Sequence, residues 1–155
     1  MEQTTLCYLE QGDRFLMLHR IKKKNDVNRD KWIGVGGHFE NGESPEDCMK
    51  REILEETGLT PTAWHLHGVV TFLSGDLCEY MYLYRVTEWE GTPKECDEGE
   101  LAWIEKEHLY SLPMWEGDRI FLRLMEERVP FFSLKLVYEG EKLVHAELDG
   151  KELDR

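Results

Sequence analysis

The sequence has no Cys-x-x-Cys pair: its four cysteines, Cys7, Cys48, Cys78 and Cys96, stand far apart. That spacing argues against zinc ribbons and thioredoxin-like chemistry and fits reduced thiols in a cytoplasm. No apolar run approaches the length needed to cross a bilayer. Met1 to Glu10 lacks a basic stretch followed by an apolar one, so no signal peptide is expected. Positive charge is scarce as well, with 19 Lys plus Arg against 32 Asp plus Glu and a formal net charge of -13. Such a surface repels phosphate backbones and argues against nonspecific binding to DNA or RNA. An anionic small molecule would need a bound cation or a local basic cluster, for which Arg20, Lys22, Lys23 and Lys24 are candidates. No repeat, low-complexity tract or linker interrupts the 155 residues, of which 41% are hydrophobic and 33% charged. The expectation is one globular domain over residues 1–155, soluble and cytoplasmic, with no membrane or nucleic-acid polymer as partner.

Hydrophobic patterning predicts a hairpin from Thr5–Leu9 and Phe15–Arg20 around Gln11-Gly12-Asp13. Residues 22–31 are polar and read as a loop, and Trp32 to Gly37 reads as a short strand ending in glycines. Two strands, 68–73 and 77–86, are joined at Ser74-Gly75-Asp76; in the second, Tyr80, Tyr82 and Tyr84 alternate with Met81 and Leu83. A short strand at 101–104, a helix at 116–127 and a hairpin of 131–139 with 143–148 complete the pattern. Strands and helices interleave, which predicts an α/β fold with a mixed sheet covered by helices.

The clearest helix runs from Ser44 to Thr57, after a glycine-rich loop. Ser44 suits the N-cap, Pro45 the first helical position, and Ser44 with Asp47 has capping-box spacing. Glu46 and Asp47 complement the positive end of the helix dipole, and Gly58 suits the terminating left-handed position. With Glu52 set at zero on a helical wheel, Glu55 falls near about 300° and Glu56 near about 40°. Cys48 and Met49 share this arc one turn earlier, whereas Leu54 lies on the far side. The glutamates therefore continue the stripe that packs inward, which a merely solvated acidic face should avoid. Three carboxylates so close are driven towards protonation unless a positive charge sits among them. A divalent ion with oxygen ligands, Mg²⁺ or Mn²⁺, resolves that conflict. Arg51 can orient a carboxylate from the edge of the arc. The alternative for these residues alone is an ordinary charged helix with i,i+4 pairs.

Gly37, five residues, Glu43, seven residues, then Arg51-Glu52-Ile53-Leu54-Glu55-Glu56-Thr57-Gly58-Leu59 resembles the Nudix signature at every fixed position. The resemblance implies an α/β/α sandwich around a central mixed β-sheet, with a loop–helix–loop that binds metal for attack on a diphosphate. It makes Glu55 and Glu56 the principal metal ligands, Glu52 a further ligand or base, and Gly37 a ligand through its carbonyl. Glu43 and Arg51 would support the site.

Further segments extend the similarity to nearly the whole chain: Trp32-Ile33-Gly34-Val35-Gly36-Gly37, Gly91-Thr92-Pro93 through Cys96-Asp97-Glu98, Trp103, and Met114 to Asp118. These look like the MutT/MutX branch of the family. Its members hydrolyse 8-oxo-dGTP and related triphosphates to monophosphate and pyrophosphate and keep damaged nucleotides out of DNA. In that light Glu98 is similar to a late glutamate that approaches the metals from outside the helix; otherwise it is a loop carboxylate in an acidic run. Arg20 takes the place of a basic residue that meets the triphosphate, or is an edge charge. Trp115 resembles a tryptophan that stacks on the base and Asp118 an acid that reads the purine edge; their alternatives are a core residue and a first-turn helix acid. Phe72 lines the same pocket or belongs to the core. Ile33 and Gly117 depart from the mammalian members, which carry an asparagine and an aspartate there, and this puts 8-oxoguanine preference in question. The implied activity is pyrophosphohydrolysis of a nucleoside triphosphate by a monomer or homodimer, with Glu52 or Glu98 as general base. Rival readings are a Nudix hydrolase of ADP-ribose, dinucleoside polyphosphates or capped RNA, and a non-catalytic Nudix-fold binding module.

Overall fold

The computed structural model describes residues 1–154. Strands β1 (Glu2–Gln11) and β2 (Arg14–His19) are joined by a turn with Gly12 at φ 59°. They pair only at their tip, Glu10 with Phe15 and Gln11 with Arg14. β2 then leaves to pair with β3 (Trp32–Ile33) and β6 (Glu100–Glu105). β1 continues alongside β5 (Leu77–Gly91) in parallel. Beyond it β4 (Leu59–Ser74), β7 (Phe132–Glu139), β8 (Lys142–Leu148) and β9 (Lys151–Glu152) complete a mixed sheet. The helices are α1 (Pro45–Thr57), the short α2 (Lys106–Leu109) and α3 (Glu116–Glu126).

The mixed sheet of an α/β fold is therefore as expected, and most elements lie where the patterning put them. β4 and β5 are longer than expected because both run on past the stretch of hydrophobic alternation. Register shifts between Pro61 and Trp64, and again between Leu66 and Gly68, keep them paired out to Leu59 and Gly91. The expected strand 32–37 is shorter: only Trp32 and Ile33 form a ladder, and Val35 and His38 make single bridges to β1.

Both faces of the central strands are buried, and alternate residues enter different cores. On β1, Leu6 and Tyr8 join one apolar cluster while Cys7 and Leu9 join the other. β2 repeats the division, with Phe15 and Met17 against Leu16 and Leu18. This is why both strands read as continuous apolar runs. The first cluster includes Phe121, Leu122 and Met125 of α3, so that helix covers one face. The second includes Met49 and Ile53 of α1, which covers the opposite face. Leu54, placed on the far side of the wheel, is 49% exposed.

α1 is anchored at both ends. Ser44 accepts from the Asp47 N–H at 3.0 Å, Asp47 accepts from the Ser44 N–H at 3.0 Å, and Gly58 closes the helix at φ 79°. Ile53 is fully buried and fixes the helix to the sheet. Ile53→Ala is expected to cost about 2–5 kcal/mol, the range for truncating a buried aliphatic side chain, measured as a lowered urea midpoint at unchanged slope.

Candidate active site

The site begins with the loop that leads into α1. Residues 34–38 lie against the free edge of β1: Cys7 N–H donates to Val35 O, Val35 N–H returns to Cys7 O at 2.9 Å, and Thr5 N–H donates to Gly37 O at 2.9 Å. Two glycines make this approach possible. Gly36 has φ 150°, and a Cβ there would lie 2.0 Å from Thr5 O; a Cβ on Gly37 would lie 2.6 Å from the Glu52 carboxyl carbon. The loop thus presses its backbone onto β1 on one side and the α1 carboxylates on the other.

Arg51 organises those carboxylates. Its Nε and Nη2 hold both oxygens of Glu43 at 2.7 and 2.9 Å, and Nη1 donates to Glu52 at 2.9 Å and Glu55 at 3.3 Å. Nη2 also donates to His38 O at 2.9 Å, which ties the loop to the helix. The bidentate contact lowers the Glu43 pKa to about 2 and raises that of Arg51. Arg51 therefore contacts Glu43, Glu52 and Glu55 together.

Glu56 is turned inward. It is 7% exposed and accepts from the Gly36 N–H at 2.7 Å. Burial and the neighbouring Glu98 carboxylate push its pKa up. Glu98 arrives from the loop before β6. Burial opposes its charge, but Lys23 at 3.1 Å and Arg20 at 2.9 Å hold its pKa below the usual carboxylate value. The Glu52 pKa is raised, because burial outweighs the lowering by Arg51, and Glu55 and Glu98 add smaller contributions in the same direction as burial. Two carboxylates sharing a largely buried place with opposite shifts is the electrostatic pattern that a divalent cation relieves. The donor set is all oxygen, which suits a hard cation.

Among the described residues, the only three His, Cys, Asp or Glu side chains whose donor atoms come within 4.8 Å of one another are Glu105, Glu107 and His108, all exposed. Glu55 sits at the rim, with its side chain 57% exposed. The Gly37 carbonyl already accepts from Thr5 N–H and faces the Cys48 thiol at 3.4 Å.

Glu52, Glu55, Gly37, Arg20 and Glu98 line a cavity of about 820 Å³, and the same cavity reaches Phe72, Trp115 and Asp118. The structure thus brings Gly37, Arg51, Glu52 and Glu55 of the signature into one space with Phe72, Trp115 and Asp118, whereas Glu43 and Glu56 do not line it. Arg20 is no bare edge charge: it also pairs with Asp26 at 2.6 Å. Trp115 is 6% exposed, with Lys31 4.5 Å above its ring, Phe72 and Tyr138 against it, and its indole N–H donating to Asn28 at 2.8 Å. It forms a wall of the cavity and part of the core together. Asp118 is 5% exposed, and burial pushes its pKa up to about 8 despite Arg119 and Lys31.

Residues 2–125 match the NUDIX domain family. The chain belongs to the Nudix family. It is 31% identical over 150 residues to the oxidized purine nucleoside triphosphate hydrolase of Danio rerio, covering 96% of this chain and 94% of the relative. It is 30% identical over 129 residues to the protein of the same name from Mus musculus, covering 82% and 81%. A crystal structure of a mutator MutT protein from Bacillus halodurans superposes with a TM-score of 0.86 at 26% identity, covering 97% and 99%. This chain is accordingly a Nudix hydrolase with the fold of MutT structures, and its relatives are nucleoside triphosphate hydrolases.

Among the cavity groups that escaped the sequence reading are Asp26, which braces Arg20, Thr4 and Glu79. Glu79 carried a legible signal, a carboxylate at an inward position of β5 between Leu77 and Met81.

Two predictions follow from this Nudix site. Gly37→Ala displaces the Glu52 carboxylate and should lower kcat/KM on a nucleoside triphosphate by about tenfold or more, with far-ultraviolet circular dichroism unchanged. Asp118 binds its proton more tightly when folded, so stability falls as pH rises from the unfolded value of 3.8 to about 8, then levels off. Asp118→Asn removes this component; in urea titrations its stability relative to wild type should rise between pH 5 and pH 8 by more than about 1 kcal/mol, the worth of one pKa unit.

Proposed function

We propose that this Nudix hydrolase is a divalent-metal-dependent pyrophosphohydrolase of purine nucleoside triphosphates, with oxidised purines such as 8-oxo-dGTP as substrates and monophosphate plus pyrophosphate as products. The observation that carries this reading is the shared cavity: Glu52, Glu55 and Glu98 line one region of it and Phe72, Trp115 and Asp118 another. Its volume of about 820 Å³ falls in the range of small-molecule sites. The names of the Danio rerio and Mus musculus relatives point the same way.

Glu52, Glu55, Glu56 and Glu98, with the Gly37 carbonyl, are the groups that would hold Mg²⁺ or Mn²⁺. When bound, such ions neutralise phosphate charge, acidify water and stabilise a leaving oxygen. The chain's own residues do the rest. Arg51 keeps Glu52 and Glu55 turned to the cavity, and Lys23 and Arg20 place positive charge beside Glu98 for a polyphosphate to meet. Glu52 or Glu98 takes the proton of the water that attacks the β phosphorus. Phe72 and Trp115 supply the apolar walls for a base, and Asp118, largely protonated below about pH 8, supplies a hydrogen-bond donor to a base acceptor. An acidic protein serving an anionic substrate is consistent with delivery of that substrate as a metal complex. Hydrolysis within a cytoplasmic nucleotide pool, as a sanitising step for DNA synthesis, is the role this activity would serve.

The test is a panel of 8-oxo-dGTP, dGTP, dATP and 2-hydroxy-dATP, with ADP-ribose and a dinucleoside polyphosphate alongside, assayed with Mg²⁺ or Mn²⁺ and with separate detection of phosphate and pyrophosphate. Preferred turnover of oxidised purine triphosphates with release of pyrophosphate is expected. Equal turnover of all four triphosphates would remove damage specificity and leave the reaction class. Glu55→Gln and Glu56→Gln should each lose about two orders of magnitude or more in rate, and near-wild-type activity of both would overturn the ligand assignment.

A further inference from the structure

On β5 the residues Leu77, Glu79, Met81 and Leu83 share one face, because side chains alternate along a strand. Leu83 is in the core that α3 covers, and Leu77 and Met81 pack against that core. Glu79 stands between them, partly buried, on a wall where an apolar residue would be expected. Across the sheet its register partner is Phe72; on the other side β1 sets Glu2 opposite it and Thr4 opposite Met81, one step along the same face. Thr4 Oγ1 donates to Glu79 Oε2 at 2.8 Å. Among the described residues Glu79 has no cationic partner, unlike Glu43, Glu52 and Glu98, which are all held by Arg or Lys. Thr4, Phe72, Glu79, Met81, Trp115 and Asp118 all line the cavity.

A partly buried carboxylate with one hydroxyl donor and no cation has acceptor capacity left over, and leaving it unmatched in an apolar wall is costly. A ligand with two adjacent N–H donors satisfies both carboxylate oxygens at once. We propose that Glu79, held by Thr4, is a specificity-determining residue that accepts from the imino and exocyclic amino N–H groups of a guanine-type base. This deepens, and rests on, the reading of the cavity as a purine nucleotide site. Adenine offers a ring acceptor next to its amine, which a carboxylate repels, and hypoxanthine lacks the exocyclic amine. Ile33 lines the same cavity without any polar group, so recognition of the base edge passes to the β5 side.

The test is equilibrium binding of dGMP, dIMP and dAMP by calorimetry, with hydrolysis of dGTP and dITP in Mg²⁺ measured in parallel. Wild type should bind dGMP about tenfold or more tighter than dIMP or dAMP, because a site built to bond an N–H rejects an analogue lacking it. Glu79→Gln should bring the dGMP to dIMP ratio within about threefold. Glu79→Met, which matches the apolar wall, should give the same collapse with a cooperative thermal transition. Equal binding of dGMP and dIMP by wild type, no detectable binding of either, or an unchanged ratio in both variants overturns the proposal. Failure to hydrolyse any triphosphate while dGMP is still preferred would instead overturn the catalytic reading and leave the assignment of Glu79 standing.

Discussion

Like charges held close together in a partly dry place repel strongly, and the architecture around α1 is arranged around that repulsion. Glu43, Glu52, Glu55, Glu56 and Glu98 converge on a loop whose backbone is pinned to β1. Arg51 touches three of them and the loop carbonyl of His38. Glu56 depends on the Gly36 N–H, while Glu98 depends on Arg20 and Lys23. These contacts offset part of the charge and leave a strongly acidic centre. Such a centre has a physical reason to exist where a hard cation is to be held.

The sheet gives that centre its second half. Because β1 and β2 separate beyond their tip, residues 34–38 can lie along the edge of β1 and carry the acidic loop to the mouth of the cavity. The α3 face of β1, β5 and β4 then becomes the cavity's other wall, through Thr4, Leu6, Glu79, Met81 and Phe72. α3 contributes Trp115 at its N-cap and Asp118 in its first turn. The acidic loop and the largely apolar wall that carries Asp118 therefore meet in one volume.

Burial, rather than ion pairing, sets the character of the wall formed by Phe72, Trp115 and Asp118. Burial in the apolar cluster around Asp118 pushes its pKa up to about 8, which favours the neutral carboxyl, a group able to donate as well as accept. Trp115 is held by contacts with Asn28, Lys31, Phe72 and Tyr138, which fix the orientation of its ring. Rigid aromatic walls with a few fixed polar groups favour selection by hydrogen-bond pattern over selection by size.

Local rules alone determined the loop–helix–loop from Gly37 to Leu59. Its capping box, terminating glycine and acidic stripe depend on spacing along one helix, and spacing is written in the chain. The alternation that buries both faces of β1 and β2 was legible for the same reason, and so was the helix that carries Asp118. The long continuations of β4 and β5 were not, since they survive register shifts that no hydrophobic period encodes. Nor was the pairing of Arg20 with Asp26 and Glu98, which lie 6 and 78 residues away. Glu79 could be seen as an oddity in its strand, but only the fold placed it and Thr4 at the cavity that Phe72 and Asp118 line. Contacts between residues close in sequence follow from backbone geometry, whereas contacts across a sheet depend on which strands become neighbours, and that is settled by burial of the whole core.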